Sequence, residues 1–176
     1  MTIIDTLTLR NKDYAAHRHV ASLTFMATLR TMIIGCVDPR VDPALLFGLE
    51  PGEAVVIRNI GGRITPATLQ TMAMLQTLAQ GQGANPRAGY NIIVLHHTDC
   101  GITRMAGKTE LMASYFGIDQ ADLEMKAIMD PRKAVAIDVA MLKNNPILPA
   151  GWAISGLVYD VTTGLVETVV PPALLS

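Results

Sequence analysis

Two short segments of this chain carry residue types that bind a soft divalent metal. Cys36-Val37-Asp38-Pro39-Arg40 closes the apolar run Met32-Ile33-Ile34-Gly35, and His97-Thr98-Asp99-Cys100 follows Asn91-Ile92-Ile93-Val94-Leu95-His96. The chain has only two cysteines, and both sit in these segments. Thiolate sulfur and neutral imidazole are ligands that tetrahedral zinc prefers, and two thiolates with one imidazole leave a fourth position for water, substrate or a carboxylate. Three protein ligands with one open position make a catalytic arrangement, whereas structural sites are closed. Cys36 and His97 lie far apart along the chain, unlike the compact Cys-x2-Cys pairs of zinc ribbons, so the fold has to bring the two segments together. On these grounds Cys36, His97 and Cys100 are read as ligands of Zn2+.

Asp38 is close enough to Cys36 to swing onto the metal as a fourth ligand in a closed state, or to turn away and accept a proton or hydrogen bond from water there. Arg40 bears on that choice, because its guanidinium fork can hold a carboxylate bidentately and keep it ionised. Asp38 and Arg40 are therefore read as the catalytic pair. Two thiolates leave the metal centre formally neutral, which acidifies water less than an all-imidazole site does, so activity should rise through the alkaline side of neutrality. His96 belongs to the preceding strand and is read as a packing or hydrogen-bonding residue, not the ligand. Asp99, Asp42 and Arg104 are candidates for outer contacts to the site, or for turn and surface charges. His17 and His19 read as helix surface.

Other chemistries fail on spacing. A phosphatase loop would need arginine six positions after Cys36, where Asp42 stands. The chain has no Gly-x-Ser-x-Gly elbow, no Gly-Lys-Ser/Thr phosphate loop and no dinucleotide glycine fingerprint. Net charge is -1 with no Lys/Arg block, so the electrostatic footprint of a nucleic-acid or anionic-membrane binder is missing. A small-molecule substrate is expected.

These residues must be positioned by elements that the apolar pattern predicts. Met32–Cys36, 54–57 and 91–96 read as short buried strands, with His97 just past the end of the third. Thr65-Pro66 starts a helix to about Gln80, and Pro131 starts another that reaches Asn144. Gly151 to Val170 reads as a strand pair turning at Thr162-Thr163-Gly164, and Gly81 to Gly89 as a surface loop. Alternating strands and helices predict an α/β fold: a mostly parallel open sheet of about four parallel strands plus an antiparallel edge strand, flanked by helices. Ligands of such sheets bind beyond the carboxyl ends of the strands, where strand order reverses. Cys36 and His97 converge there if the first and third strands are neighbours, with Gly61-Gly62 bordering the same pocket from the second.

At 176 residues the chain is expected to form a single zinc-binding domain over 1–176, with an N-terminal helix at about 13–29 packing on the domain or on a partner subunit. Half of the residues are hydrophobic, more than one domain of this size comfortably buries, which points to a subunit interface. No apolar run reaches the roughly 18 residues of a membrane span. With no secretory pattern at Met1-Thr2-Ile3-Ile4-Asp5, a soluble protein in a reducing cytoplasm is expected, where both thiols stay free for metal.

The segments Cys36-Val37-Asp38-Pro39-Arg40, Arg58-Asn59-Ile60-Gly61-Gly62 and His97-Thr98-Asp99-Cys100-Gly101 together resemble the β-class carbonic anhydrases. The closing Gly156-Leu157-Val158-Tyr159-Asp160 is similar to that family's last strand. The resemblance implies reversible hydration of carbon dioxide to bicarbonate and a proton by zinc-bound hydroxide, oriented by Asp38, in a homodimer or dimer-based oligomer with sites near the interface. It also implies that backbone amides around Gly61, Gly62 and Gly101 hold the product oxygens. The chain is shorter than many members, and compact relatives include hydrolases of carbonyl sulfide and carbon disulfide that keep the same ligands. Carbon dioxide is the favoured substrate and those two the alternative. A non-catalytic zinc module, with Asp38 permanently bound, is the competing reading from another class.

Overall fold

The computed structural model describes residues 1–85 and 88–176. Strand β1 (Thr31–Cys36) is buried at all but its first residue, and β3 (Asn91–His97) at all but two positions. Strands covered on both faces read as continuous apolar runs rather than alternating ones, and this is what the Ile/Val-rich segments show. Strand β2 (Ala54–Asn59) is half-buried at the sheet edge. Two C-terminal strands, β4 (Ala153–Tyr159) and β5 (Val166–Leu174), complete the sheet.

The five strands run in the order β2-β1-β3-β4-β5. All neighbours are parallel except β4 and β5, which form an antiparallel edge pair around the predicted turn. The chain leaves β1 toward one edge to make β2, then returns across β1 to make β3. Strand order thus reverses between β1 and β3, and the carboxyl ends of those two strands carry Cys36 and His97. His97 is the last paired residue of β3, opposite Tyr159, rather than a residue beyond the strand.

Helix α1 (Ile3–His17) and the short α2 (Pro43–Phe47) flank β1 in sequence. Helix α3 (Pro66–Gly81) starts at Thr65, whose hydroxyl accepts from the Thr68 amide, with proline in the first turn as expected. Helix α4 (Thr109–Phe116) was not signalled by the sequence pattern. Helix α5 (Pro131–Lys143) is capped by the Asp130 carboxylate, which accepts from the Arg132 and Lys133 amides. Short 3-10 helices at Ile60–Gly62, Gly101–Met105 and Gln120–Lys126 fill connections around the carboxyl ends of the strands. Ile34, Ile92, Val94, Val135, Leu142 and Ile154 form the fully buried centre of the core.

The N-terminal helix differs from the expectation of 13–29. It runs over Ile3–His17 because Thr2 and Asp5 form a reciprocal capping box: the Thr2 hydroxyl accepts from the Asp5 amide and the Asp5 carboxylate accepts from the Thr2 amide. Past His17 the chain leaves helix, and the Thr28 and Leu29 amides donate to the Gly52 and Glu53 carbonyls beside the start of β2. Helix α1 buries none of its residues. Of the loop expected over Gly81 to Gly89, residues 86 and 87 lie outside the described residues.

Candidate metal centre

Cys36, His97 and Cys100 meet at the carboxyl ends of β1 and β3, all three buried, with their candidate ligand atoms within 4.8 Å of one another. The two sulfurs are 3.7 Å apart. The Nδ1 atom of His97 lies 2.8 Å from the Thr98 carbonyl, which can only accept, so Nδ1 carries the proton and Nε2 keeps its lone pair. That Nε2 is buried without a hydrogen-bond partner. An orphaned buried imidazole nitrogen costs roughly 1–3 kcal/mol unless something binds it. Two convergent thiols beside such a nitrogen form the donor set that suits zinc.

The sulfurs are prepared unequally. The hydrogen bond from Cys100 is the main reason the Cys36 thiol is pushed down to about 4, against the opposing effect of burial. The amides of Asp38 and Gly61, which lie 3.5 Å and 3.3 Å from Cys36 Sγ, add to the lowering. Cys100 is pushed up by the same bond and by burial. A divalent ion bound by both sulfurs takes them as thiolates, so its binding releases thiol protons.

The Gly61 amide reaches the sulfur because the backbone folds sharply after β2. Gly61 and Gly62 both have positive φ, 76° and 66°. A Cβ on Gly62 would stand 2.9 Å from the Gly35 carbonyl carbon and from the Leu95 oxygen, so the loop passes directly over the ends of β1 and β3. Only glycine combines that backbone conformation with that closeness. Gly101 is exposed, opens the 3-10 helix after Cys100 and presses on nothing.

Asp38 stands outside the three-residue cluster. Its carboxylate accepts from the Arg40 backbone amide at 2.9 Å, from Nε at 3.1 and 3.3 Å and from Nη2 at 2.7 Å. Those bonds to Arg40 hold its pKa down to about 2. Arg40 also donates to the Asp99 carboxylate and carbonyl, at 2.9 and 3.0 Å, which ties the first chemical segment to the second. Asp99 is thus an outer contact of the site, and it takes the left-handed conformation with φ 50°. Asp42 caps α2 and pairs with Arg58 at 2.9 Å. Arg104 is a largely exposed charge near Asp99. His17 and His19 lie exposed, away from the centre.

Three groups around the site were not read from the sequence. Arg58 donates to the carbonyls of Cys36 and Asp38 at 2.8 and 2.7 Å, clamping the first segment in its turn. Tyr115 donates to the Ile60 carbonyl at 2.7 Å. Arg63 and Asp138 form a fully buried ion pair at 2.7 Å. The last had a visible signal, since Asp138 interrupts the apolar stripe of Val135, Val139 and Leu142. A cavity of about 70 Å3 lined by Gly61, Arg63, His97, Cys100, Ile102 and Met129, among others, opens beside the cysteine–histidine cluster. A larger apolar cavity lies at the amino ends of the strands, between Phe25, Met72, Tyr90 and Trp152, and carries none of this chemistry.

The family model described as carbonic anhydrase matches residues 31–166. Beta-carbonic anhydrase 1 of Mycobacterium tuberculosis is 28% identical, over 97% of this chain and 100% of that protein. A carbon disulfide hydrolase of Acidianus is 27% identical, over 91% of this chain and 85% of its own length. The crystal structure of a carbonic anhydrase from Streptococcus mutans superposes with a TM-score of 0.74 at 33% identity, covering 96% of this chain and 98% of that one.

Proposed function

The chain belongs to the β-class carbonic anhydrase family, and from that premise we propose that it hydrates carbon dioxide reversibly to bicarbonate and a proton at a zinc held by Cys36, His97 and Cys100. The observation that carries this reading is the convergence of two thiols and one orphaned imidazole nitrogen beside a carboxylate that its arginine keeps off the cluster. Zinc bound there would supply a Lewis acid that makes water nucleophilic.

The chain's own groups supply the rest. Asp38, ionised and held at both oxygens by Arg40, is fixed in orientation, and its remaining lone pairs can accept a hydrogen bond from the attacking water and so aim it. Arg40 spans Asp38 and Asp99, so the orientation of Asp38 is locked to the segment that carries His97 and Cys100. The amides around Gly61-Gly62 and Gly101 are the donors proposed for the oxygens of bicarbonate. The Gly61 amide already bonds Cys36 Sγ, which favours Gly62 and Gly101 for that role. The small cavity, walled by Ile102 and Met129, suits a small linear molecule.

The near-equal likeness to a carbon disulfide hydrolase supports a second reading, in which the same centre hydrolyses carbon disulfide or carbonyl sulfide. Parallel assays of carbon dioxide, carbonyl sulfide and carbon disulfide on one zinc-loaded preparation separate the two. Carbon dioxide should be turned over fastest; slow hydration with fast carbon disulfide hydrolysis reverses the assignment. Zinc without turnover of any of the three, even at alkaline pH, would favour a structural module. A homodimer in a reducing cytoplasm is the proposed setting. It is supported by the two free thiols and by the uncovered apolar residues of α1. No helix among the described residues is long and apolar enough to cross a membrane.

A further inference from the structure

Asp138 lies on α5 between Val135, Val139 and Leu142, all of them at the centre of the core. Its exposure is 0% and that of its partner Arg63 is 1%. A leucine at this position would continue the stripe. Buried ion pairs seldom stabilise a fold more than apolar residues of similar volume do, so packing alone does not account for the pair.

The bonds around the pair show what it holds. Arg63 donates from Nε to Asp138 Oδ2 at 2.7 Å and from Nη2 to Oδ1 at 3.3 Å. Nη2 also donates to the Lys126 carbonyl at 2.8 Å, and the guanidinium carbon lies 4.9 Å from the centre of the Phe116 ring. The next residue adds its amide, from Ile64 to Asp138 Oδ2 at 3.2 Å. The backbone of Arg63 is closed onto Asn59 in both directions: its amide donates to Asn59 Oδ1 at 2.8 Å, and Asn59 Nδ2 donates to its carbonyl at 2.7 Å. Between these tied ends hang only Ile60, Gly61 and Gly62, and the Gly61 amide bonds Cys36 Sγ at 3.3 Å. On the other side, His96 Nε2 stands 3.3 Å from Asp138 Oδ2, close but out of line for a hydrogen bond. His96 is bonded through the chain to His97.

We propose that the Arg63–Asp138 pair is a positioning device for the metal centre: it sets the Asn59–Arg63 loop, and through it the Gly61 amide on Cys36 Sγ, against the strand end that carries His97. Neither residue needs to touch substrate. A charge pair does this better than apolar contact because its hydrogen bonds fix direction as well as distance, and a loop of three residues transmits that direction with little slack. The inference rests on Cys36, His97 and Cys100 being the metal ligands.

The test replaces both charges together, Arg63→Met with Asp138→Leu, because either single change strands a buried charge and endangers the fold. Cobalt is substituted for zinc, and three quantities are measured in wild type and variant: the thiolate-to-cobalt charge-transfer band, metal affinity by chelator competition, and amide exchange at Gly61. The double variant should keep its melting behaviour while metal affinity falls about tenfold or more, the range seen when supporting contacts of ligands are removed. Its charge-transfer band should shift, and Gly61 should exchange faster. A double variant with the wild-type band and affinity overturns the proposal while leaving the metal site intact. Wild type that shows no thiolate-to-cobalt band overturns the ligand assignment, and the positioning role with it. Should the double variant not fold, the paired change Arg63→Gln with Asp138→Asn, which removes both charges together and keeps polar groups in place, is expected to lower affinity in the same direction, and full affinity there overturns the inference equally.

Discussion

Asp38 stands two residues from Cys36, yet both of its oxygens are occupied by Arg40. If its role is to aim water and not to hold metal, Asp38→Ala should retain a full complement of zinc and lose turnover by about a hundredfold or more, in the range of general acid–base contributions. Metal analysis beside stopped-flow hydration checks both halves; zinc loss with turnover kept would refute the role. The same pair predicts an acid dependence. Arg40 holds the Asp38 pKa down to about 2, below the roughly 3.9 of an unfolded aspartate. A depressed carboxylate stabilises the native state fully above its unfolded pKa and loses that contribution as pH falls through the folded one. The stability difference between wild type and Arg40→Gln, followed by urea denaturation, should therefore be constant near neutrality and disappear between about pH 4 and pH 2. Arg40 is half-exposed, so solvent and salt screen the effect and added salt should shrink it.

At the scale of elements, the centre depends on how closely a loop passes over two strand ends. Gly62→Ala adds a Cβ within 3.0 Å of the β1 and β3 backbones, at a positive φ that alanine disfavours. Overpacking of this kind costs about 1–3 kcal/mol. Since the neighbours are backbone atoms they cannot swing aside, so the loop must lift. The variant should melt lower and bind zinc more weakly, and a change in melting alone would mean that the loop had stayed seated. Strands β1 and β3, the α3 and α5 starts and the β4–β5 turn were legible because each is written in local residues: apolar runs, Thr65-Pro66, Pro131, Thr162-Thr163-Gly164. Helix α1 was misplaced because its signal was the capping pair Thr2 and Asp5, not an apolar stripe. Helix α4 has no capping side chain, and it packs through Met112, Ala113 and Phe116 against the cysteine cluster, a contact that only the fold reveals.

The molecule as a whole leaves α1 uncovered. Ile3, Ile4 and Leu7 are 68%, 63% and 50% exposed, and no residue of the helix is buried. Strand β2 ends the sheet on one side, with a paired neighbour only in β1. Such surfaces are covered in stable assemblies. Light scattering should find a dimer, and removing residues 1–17 should weaken its association at least tenfold while leaving the core's secondary structure unchanged by circular dichroism. A monomeric wild type would return α1 to the status of an exposed arm.

The donor types, their attachment to strand ends and the α/β class with its antiparallel edge were all determined by the sequence itself. Each depends on residues within a few positions of one another, where backbone geometry and hydrophobic period act directly. Only the tertiary structure decided that β1 and β3 are neighbours, that Arg40 bridges Asp38 to Asp99, that the His97 lone pair is left facing the sulfurs and that Arg63 is buried against Asp138. Those contacts join segments dozens of residues apart. Their geometry follows from sheet order and core packing, which emerge when the whole chain closes on itself and which no local pattern encodes.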